Sequence, residues 1–300
     1  MTDRIVVVGS ANLDIVVPVP HHPAQGETVL GGDHSQIPGG KGANQAVAGS
    51  RLGGTVHFVG RVGNDAAGLA LRSSLRDAGV NTDALHETPG VPSGIALITV
   101  DAEGDNAIVV SPGANHSLSP ADIEGYEPLT DASVVQLQLE VPLDTNLAAA
   151  KRADGIVILD PAPAPADGLP DELLSAANIV IPNETELAIL ARRPVDPNDP
   201  DDIAEAARGL GSEHVIVTLG SRGAMVVSDE VTQVAAPLIT AVDTTAAGDA
   251  FRAAIAVGVS RGEDLVTATG QAVRVGAATA LRFGAQPSLP TTAEVDQLLT

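Results

Sequence analysis

Apolar residues in this chain come in short runs whose spacing changes from place to place, and the spacing predicts the elements. Residues 5–8 are an unbroken apolar run ending at Gly9-Ser10, as for a strand buried on both faces. Alternating segments at 15–19 and 28–30 predict small antiparallel strands. After Pro38-Gly39-Gly40, the small and apolar positions Ala43, Ala46, Val47 and Leu52 fall at helical spacing, so a helix starts at Lys41 or Gly42. Residues 56–59 predict a strand and 66–78 a helix. Residues 95–100 and 107–110 predict a strand pair joined through Glu103-Gly104-Asp105. Short apolar runs at 134–137, 156–159, 179–181 and 215–218 are then separated by helical stretches, the signature of a parallel sheet covered on both faces. A hairpin over 223–227 and 231–234 precedes two Ala-rich helices at 246–259 and 265–281. The expected fold is α/β: a three-layer αβα Rossmann-like core with a mainly parallel sheet, plus a small β-strand lid from about 13–38 and 93–112. All of it belongs to one domain over 1–300. Sites in such sheets lie at the carboxyl ends of the strands.

Composition narrows the function classes. Sixteen basic against 38 acidic residues give a net charge of −22 spread along the chain, which repels nucleic acid. The same excess fits a salt-loving or high-GC source as well as a mildly acidic mesophilic protein. No apolar run approaches the length of about 20 residues that a membrane-spanning helix needs. Met1-Thr2-Asp3-Arg4 leads straight into the first apolar run without a signal-like segment, so the expected location is the cytoplasm. With no cysteine, neither disulfides nor thiolate metal sites are available.

Five segments carry candidate chemistry, each with a bland alternative. Asp249 opens a helix after Ala246-Ala247-Gly248, where free N–H groups attract anions; its carboxylate either caps its own helix or takes a proton from an attacking hydroxyl. Gly39-Gly40-Lys41-Gly42-Ala43-Asn44-Gln45 is a glycine turn feeding a helix, lacks the full P-loop pattern, and is otherwise a plain turn. Asn12 and Asp14 form an i, i+2 polar pair suited to adjacent sugar hydroxyls, or an Asx turn. Asn183 and Glu186 have the spacing of a capping box and also place carboxylates where Mg²⁺ is reached through water. Thr218-Leu219-Gly220-Ser221-Arg222-Gly223 suits a hairpin or nucleotide phosphates.

Taken in order with Asp160-Pro161-Ala162-Pro163-Ala164 and Gly284-Ala285-Gln286-Pro287-Ser288, these segments resemble the PfkB family of sugar kinases, from residue 5 to about 290. The resemblance implies an ATP-dependent phosphotransferase acting on the 5-hydroxyl of D-ribose to give ribose 5-phosphate. The alternatives are another sugar or nucleoside kinase of the family, or a non-catalytic sugar-binding regulator of the same fold. It further implies that Asn12, Asp14, Gly40, Lys41, Asn44 and Glu140 hold the sugar and that Asp249 is the base. Ala246, Ala247 and Gly248 supply an anion hole in this picture. Asn183, Thr218, Gly220, Ser221 and Gly223 line the nucleotide, and Glu186 orders the water shell of Mg²⁺. Asp243, Thr245, Thr279, Arg282, Gly284 and Ser288 belong to the loop of a monovalent cation, usually K⁺. A homodimer through the lid strands is implied as well. The chain departs from the family pattern at Arg252-Ala253-Ala254 after Phe251, where a glycine is usual at 253. It departs again at Val273, where Asn or His is common, and at Asp160, where Asn is frequent.

Overall fold

Successive residues of a strand face opposite ways, and in β1 (Arg4–Val8) both faces are buried: Ile5 and Val7 join one core, Val6 and Val8 the other. The computed structural model describes residues 3–299; Met1, Thr2 and Thr300 lie outside them, including the first two residues of the N-terminal reading. After β1 come β2 (Asn12–Pro18), β3 (Ser35–Gly39), α1 (Lys41–Arg51), β4 (Thr55–Gly63), α2 (Ala66–Asp77), β5 (Asn81–Thr88), β6 (Gly94–Val100) and β7 (Asn106–Ser111). The next stretch holds α3 (Pro120–Glu124), α4 (Glu127–Thr130), β8 (Val134–Leu137), α5 (Leu143–Arg152), β9 (Ile156–Leu159), α6 (Asp171–Ala176), β10 (Ile179–Val180), α7 (Glu184–Leu190), α8 (Pro200–Arg208) and β11 (His214–Thr218). The hairpin β12 (Ala224–Val227) and β13 (Val231–Val234), then α9 (Ala247–Ser260), α10 (Leu265–Thr279) and α11 (Thr292–Leu298), complete it.

The main sheet runs β13-β12-β11-β10-β9-β8-β1-β4-β5, parallel from β11 to β5, with the hairpin antiparallel at one edge. Alternation repeats in every central strand: Ile158, Ile179 and Ile216 face the core under α1, α2, α9 and α10, while Val157, Val180 and Val215 face the core under α3 to α8. That is the expected three-layer αβα arrangement. No helix among the described residues is long and apolar enough to cross a membrane.

A second sheet has the order β3-β2-β6-β7. Two details differ from expectation. Residues 28–30 form no strand, and the strand lies instead at Ser35–Gly39. Leu30 is 89% exposed, so its apolar character has no face to bury, and Gly31-Gly32 after it weaken any strand. The expected antiparallel arrangement holds for β2 with β3 and β6 with β7, but β2 and β6 pair in parallel. The two strands come from separate excursions of the chain out of the main sheet, at β1 and β5, so no hairpin constrains them. Strand β5 escaped the sequence reading because six of its eight residues are polar, leaving only Ala84 and Leu85 apolar.

One core position works against stability. Gln136 on β8 is 1% exposed, and neither of its amide atoms finds a hydrogen-bond partner among the described residues. A buried polar group without a partner costs about 1–3 kcal/mol. Gln136→Met keeps most of the volume, and it is expected to raise unfolding free energy by an amount of that order in urea melts, with turnover unchanged.

Candidate active site

Two glycines bring the start of α1 against the β1–β2 link. Gly40 caps the helix at φ 88°, and a Cβ there would stand 2.6 Å from the Asn12 backbone nitrogen. At Gly42 a Cβ would meet the Ser10 nitrogen at 2.7 Å. Gly40 and Gly42, on either side of Lys41, therefore make a backbone approach that only glycine permits. Gly40→Ala combines a left-handed φ with a backbone clash, and its expected cost is about 2 kcal/mol or more, read as a lowered Tm.

This approach gathers the polar groups. Glu140 accepts from Ser10 Oγ at 2.5 Å, from the Lys41 N–H at 3.2 Å and from Asn12 Nδ2 at 3.4 Å. Asn12 Oδ1 in turn accepts from Asn115 Nδ2 at 2.7 Å, which fixes its amide orientation. Asn12 and Asp14 both lie in β2 and form a strand instead of an Asx turn. Gly39 leaves room for Asp14, since a Cβ there would stand 2.2 Å from its Oδ2. No protein hydrogen bond ends on the Asp14 carboxylate among the described residues, and burial, with Glu140 and Asp249 nearby, pushes it up to about 7. Lys41 feels burial in the opposite sense, yet Asp160, Asp249 and Glu140 outweigh burial and the neighbouring Arg252, so its ammonium is held above the ordinary lysine range.

Asp249 stands in the first turn of α9 and is 7% exposed. Ala246 before it adopts a left-handed φ of 60°, and no side chain caps the helix. Of the two readings open from sequence, capping is not the one observed. The carboxylate instead accepts from Asn44 Nδ2 at 2.9 Å and Gln45 Nε2 at 3.2 Å, both on α1. Gln45 Nε2 also donates to Asp160 Oδ2 at 2.9 Å, and its Oε1 accepts from Gln138 Nε2 at 2.7 Å. Gln138 thereby sets which way the Gln45 amide points, and Gln45 spans two carboxylates. Sequence reasoning named Asn44 and passed over Gln45 and Gln138; the cue for Gln45 was its place beside Asn44, and for Gln138 there was none. Asp160 is fully buried, and burial lifts its carboxyl to about 6 even though Arg252 and Lys41 pull the other way.

On the other side of the α9 N-terminus lies a cleft of about 510 Å³. Asn183, Thr218, Gly220, Ser221 and Gly223 all line it, as do Ala247 and Gly248 of α9 and Val273, Gly276 and Ala277 of α10. Asn183 and Glu186 form the full capping box of α7: Asn183 Oδ1 accepts from the Glu186 N–H and Glu186 Oε2 from the Asn183 N–H, both at 2.8 Å. Ala253, where the family favours glycine, is fully buried within an unbroken α9.

The six residues of the expected cation loop are joined only in part. Asp243 accepts from the Thr245 N–H at 2.9 Å and the Gly284 N–H at 2.8 Å. Burial raises its carboxyl, but these bonds and that of the Thr245 hydroxyl outweigh it and hold it below the ordinary range. Thr279 Oγ1 donates to the Val275 carbonyl within α10, Ser288 Oγ to the Ala285 carbonyl, and Arg282 pairs with Glu294 at 2.9 Å. The Arg282 guanidinium is thus engaged away from Asp243.

The polar pocket around Asp249 and the cleft lined by Ala247 and Gly248 therefore adjoin at the first turn of α9. Several known proteins are similar to this chain over its whole length. A ribokinase of Bacillus subtilis is 39% identical over 99% of both chains, and a deoxyribokinase of Salmonella typhi is 36% identical over 99% of this chain and 98% of its own. The structure of Arabidopsis thaliana ribokinase complexed with ribose and ATP superposes with a TM-score of 0.90 at 35% identity, covering 100% of this chain and 99% of that one. The sequence profile of the pfkB family carbohydrate kinases matches residues 2–292, so with fold, cleft and helix-borne carboxylate in agreement, the chain belongs to that family.

Proposed function

We propose that this protein transfers the terminal phosphoryl group of ATP to the 5-hydroxyl of ribose. The observation that carries the reading is the placement of Asp249: buried, not capping its helix, held by Asn44 and Gln45, and directly after Ala247 and Gly248, which line the cleft. Asp14, Asn12, Lys41, Asn44, Glu140 and the Gly40 backbone hold the sugar. The unpaired Asp14 carboxylate is an acceptor waiting for hydroxyl donors. The Ala246, Ala247 and Gly248 amides receive the phosphate oxygens, because a helix N-terminus directs its first N–H groups outward; of these, among the described residues, only the Ala247 N–H is engaged in the chain, with the Thr244 carbonyl at 3.2 Å. Asp249 takes the proton of the attacking hydroxyl as the O–P bond forms and ADP leaves. Phosphoryl transfer asks little more of a protein than positioning and charge stabilisation. The nucleotide fills the cleft bounded by Thr218, Gly220, Ser221 and Gly223, its base against Val273.

Bound Mg²⁺ supplies charge neutralisation on the phosphates. Glu186 fits an outer-shell role there: Oε2 is spent on Asn183, and Oε1 makes no protein hydrogen bond among the described residues. For K⁺ the hydroxyls of Thr279 and Ser288 are already engaged, so backbone carbonyls and the Asp243 carboxylate remain, an all-oxygen set suited to a hard cation. The small sheet acts as a lid, since β2 begins at Asn12 and β3 ends at Gly39, both at the pocket. Its edge strand β7 is exposed throughout and carries Ile108 and Val109 at 53% and 66% exposure, which supports pairing with a second copy. We place the protein in the cytoplasm.

Specificity is tested by kcat/KM on ribose, 2-deoxyribose, fructose and adenosine with ATP, Mg²⁺ and K⁺. Ribose is expected to lead, and a clear preference for any of the others reassigns the substrate.

A further inference from the structure

Arg252 has no place in the reaction described so far, yet it is the one arginine buried beside the α9 N-terminus. It is 5% exposed. On a helix, a side chain points back toward the N-terminus over the residue four before it, and for Arg252 that residue is Gly248. A Cβ at Gly248 would stand 2.7 Å from Arg252 Nη1, so the absence of a side chain there is what lets the guanidinium lie over the first turn. The other two nitrogens are committed. Nε lies 2.9 Å from Asp160 Oδ1, at an oblique angle that gives neither atom an aligned hydrogen bond. Nη2 donates to the Ile181 carbonyl at 2.9 Å and lies 3.5 Å from Glu186 Oε2. Nη1 has no such contact and faces the turn where Gly248 lines the cleft.

This placement runs against the local field. A buried cation at a helix N-terminus meets the positive end of the helix dipole, and taking a charge out of water is costly unless it is well paired. Asp160 and Glu186 offset the charge but hold it obliquely. The arrangement becomes favourable when an anion arrives at the same amides, because guanidinium is well matched to phosphate oxygens. The departure from the family pattern at 160 thus gains a role: Asp160 is a carboxylate that steadies an arginine directed at the anion hole.

We propose that Arg252 is a further catalytic residue, whose Nη1 donates to the terminal phosphoryl group of ATP held by the Ala246–Gly248 amides. This rests on the phosphotransfer reading above. Arg252 then supplies a fixed positive charge where negative charge concentrates during transfer, in addition to whatever the metal provides.

The test must separate this role from a structural one. Arg252→Met alone leaves the buried Asp160 carboxylate without its arginine, with only the Gln45 amide and the Lys41 charge to offset it, so it is compared with the double variant Asp160→Asn/Arg252→Met, which removes both charges together. In both, kcat is expected to fall about 10²-fold, the loss seen when one preorganised donor to a developing charge is removed, with KM for ribose little changed. Titrating ATP and ADP without divalent metal adds a readout independent of turnover. The wild type is expected to prefer ATP over ADP by about tenfold more than the double variant, the worth of one charge-assisted hydrogen bond. Arg252→Lys is expected to recover part of both. A folded double variant with wild-type kcat and an unchanged ATP to ADP ratio overturns the proposal. A wild type that fails to turn over ribose overturns the phosphotransfer reading itself, which is a separate outcome.

Discussion

Asp249→Asn is expected to lower kcat by about 10²–10⁴-fold, the usual contribution of a positioned general base, while ribose still binds. In barrier terms this is roughly 3–5 kcal/mol. The selectivity of the effect follows from the geometry. Asn44 and Gln45 both donate to the carboxylate, at 2.9 and 3.2 Å, and an asparagine amide can accept only one of these bonds through its oxygen. Some local rearrangement of α1 against α9 is therefore expected along with loss of the base. Asp249→Ala removes the acceptor for both and serves as control: if the proton transfer dominates, both variants lose kcat to a similar extent. Loss of KM without loss of kcat in both would assign Asp249 to sugar binding alone. Circular dichroism and urea melts establish that the fold survives.

Replacing Asp14 by Asn is expected to move activity and stability in opposite directions. The carboxyl of Asp14 is pushed from 3.8 to about 7, first by burial and then by Glu140 and Asp249. A raised carboxyl means the folded chain binds a proton that the unfolded chain has released. Between pH 3.8 and about 7 the unfolded state therefore holds fewer protons, so stability contributed by this group is present below pH 3.8 and is lost as pH rises through about 7. At one pKa unit per ~1.4 kcal/mol, the ionised side chain costs the free protein on the order of a few kcal/mol at pH 8. Asp14→Asn removes that cost. Its Tm is expected to exceed that of the wild type at pH 8 and to converge with it toward pH 4. The price appears in ribose binding, where loss of hydrogen bonds to a charged acceptor, worth about 1.5–3 kcal/mol, raises KM by roughly 10–100-fold. In the wild type, KM for ribose is expected to fall as pH rises from 6 to 8, because the acceptor form of Asp14 is being populated. Equal Tm values for variant and wild type at both pH values would show that Asp14 is not strained in the free protein.

The contrast between Asn44 and Gln45 shows how far sequence reading reaches. Strands of the main sheet were legible because burial on both faces leaves uninterrupted apolar runs, and Val134–Leu137 and Ile156–Leu159 were placed to the residue. Strand β5 was not, since its edge position asks for few apolar residues. At the site, motif spacing located the glycine approach, the helix start at Asp249 and the strand-end residues that line the cleft. What it could not give was partnership across the chain. Gln45 meets Asp160 and Gln138, more than 90 positions away, and no local periodicity encodes such contacts. Arg252 was visible only as part of the segment after Phe251 in which Ala253 replaces the usual glycine, and its meaning came with Asp160, at a strand end far along the chain. The capping box at Asn183 and Glu186 was legible in full because its partners are three residues apart.

The central claim is that ribose lies with its 5-hydroxyl at Asp249 and faces phosphate held at the α9 N-terminus. Phosphorus NMR of the product formed from ribose and ATP tests this most directly. One product is predicted, with phosphate coupled to the two protons on C5 and appearing in step with ADP. Phosphate on a ring hydroxyl, or ADP release with free inorganic phosphate and no sugar ester, would contradict it.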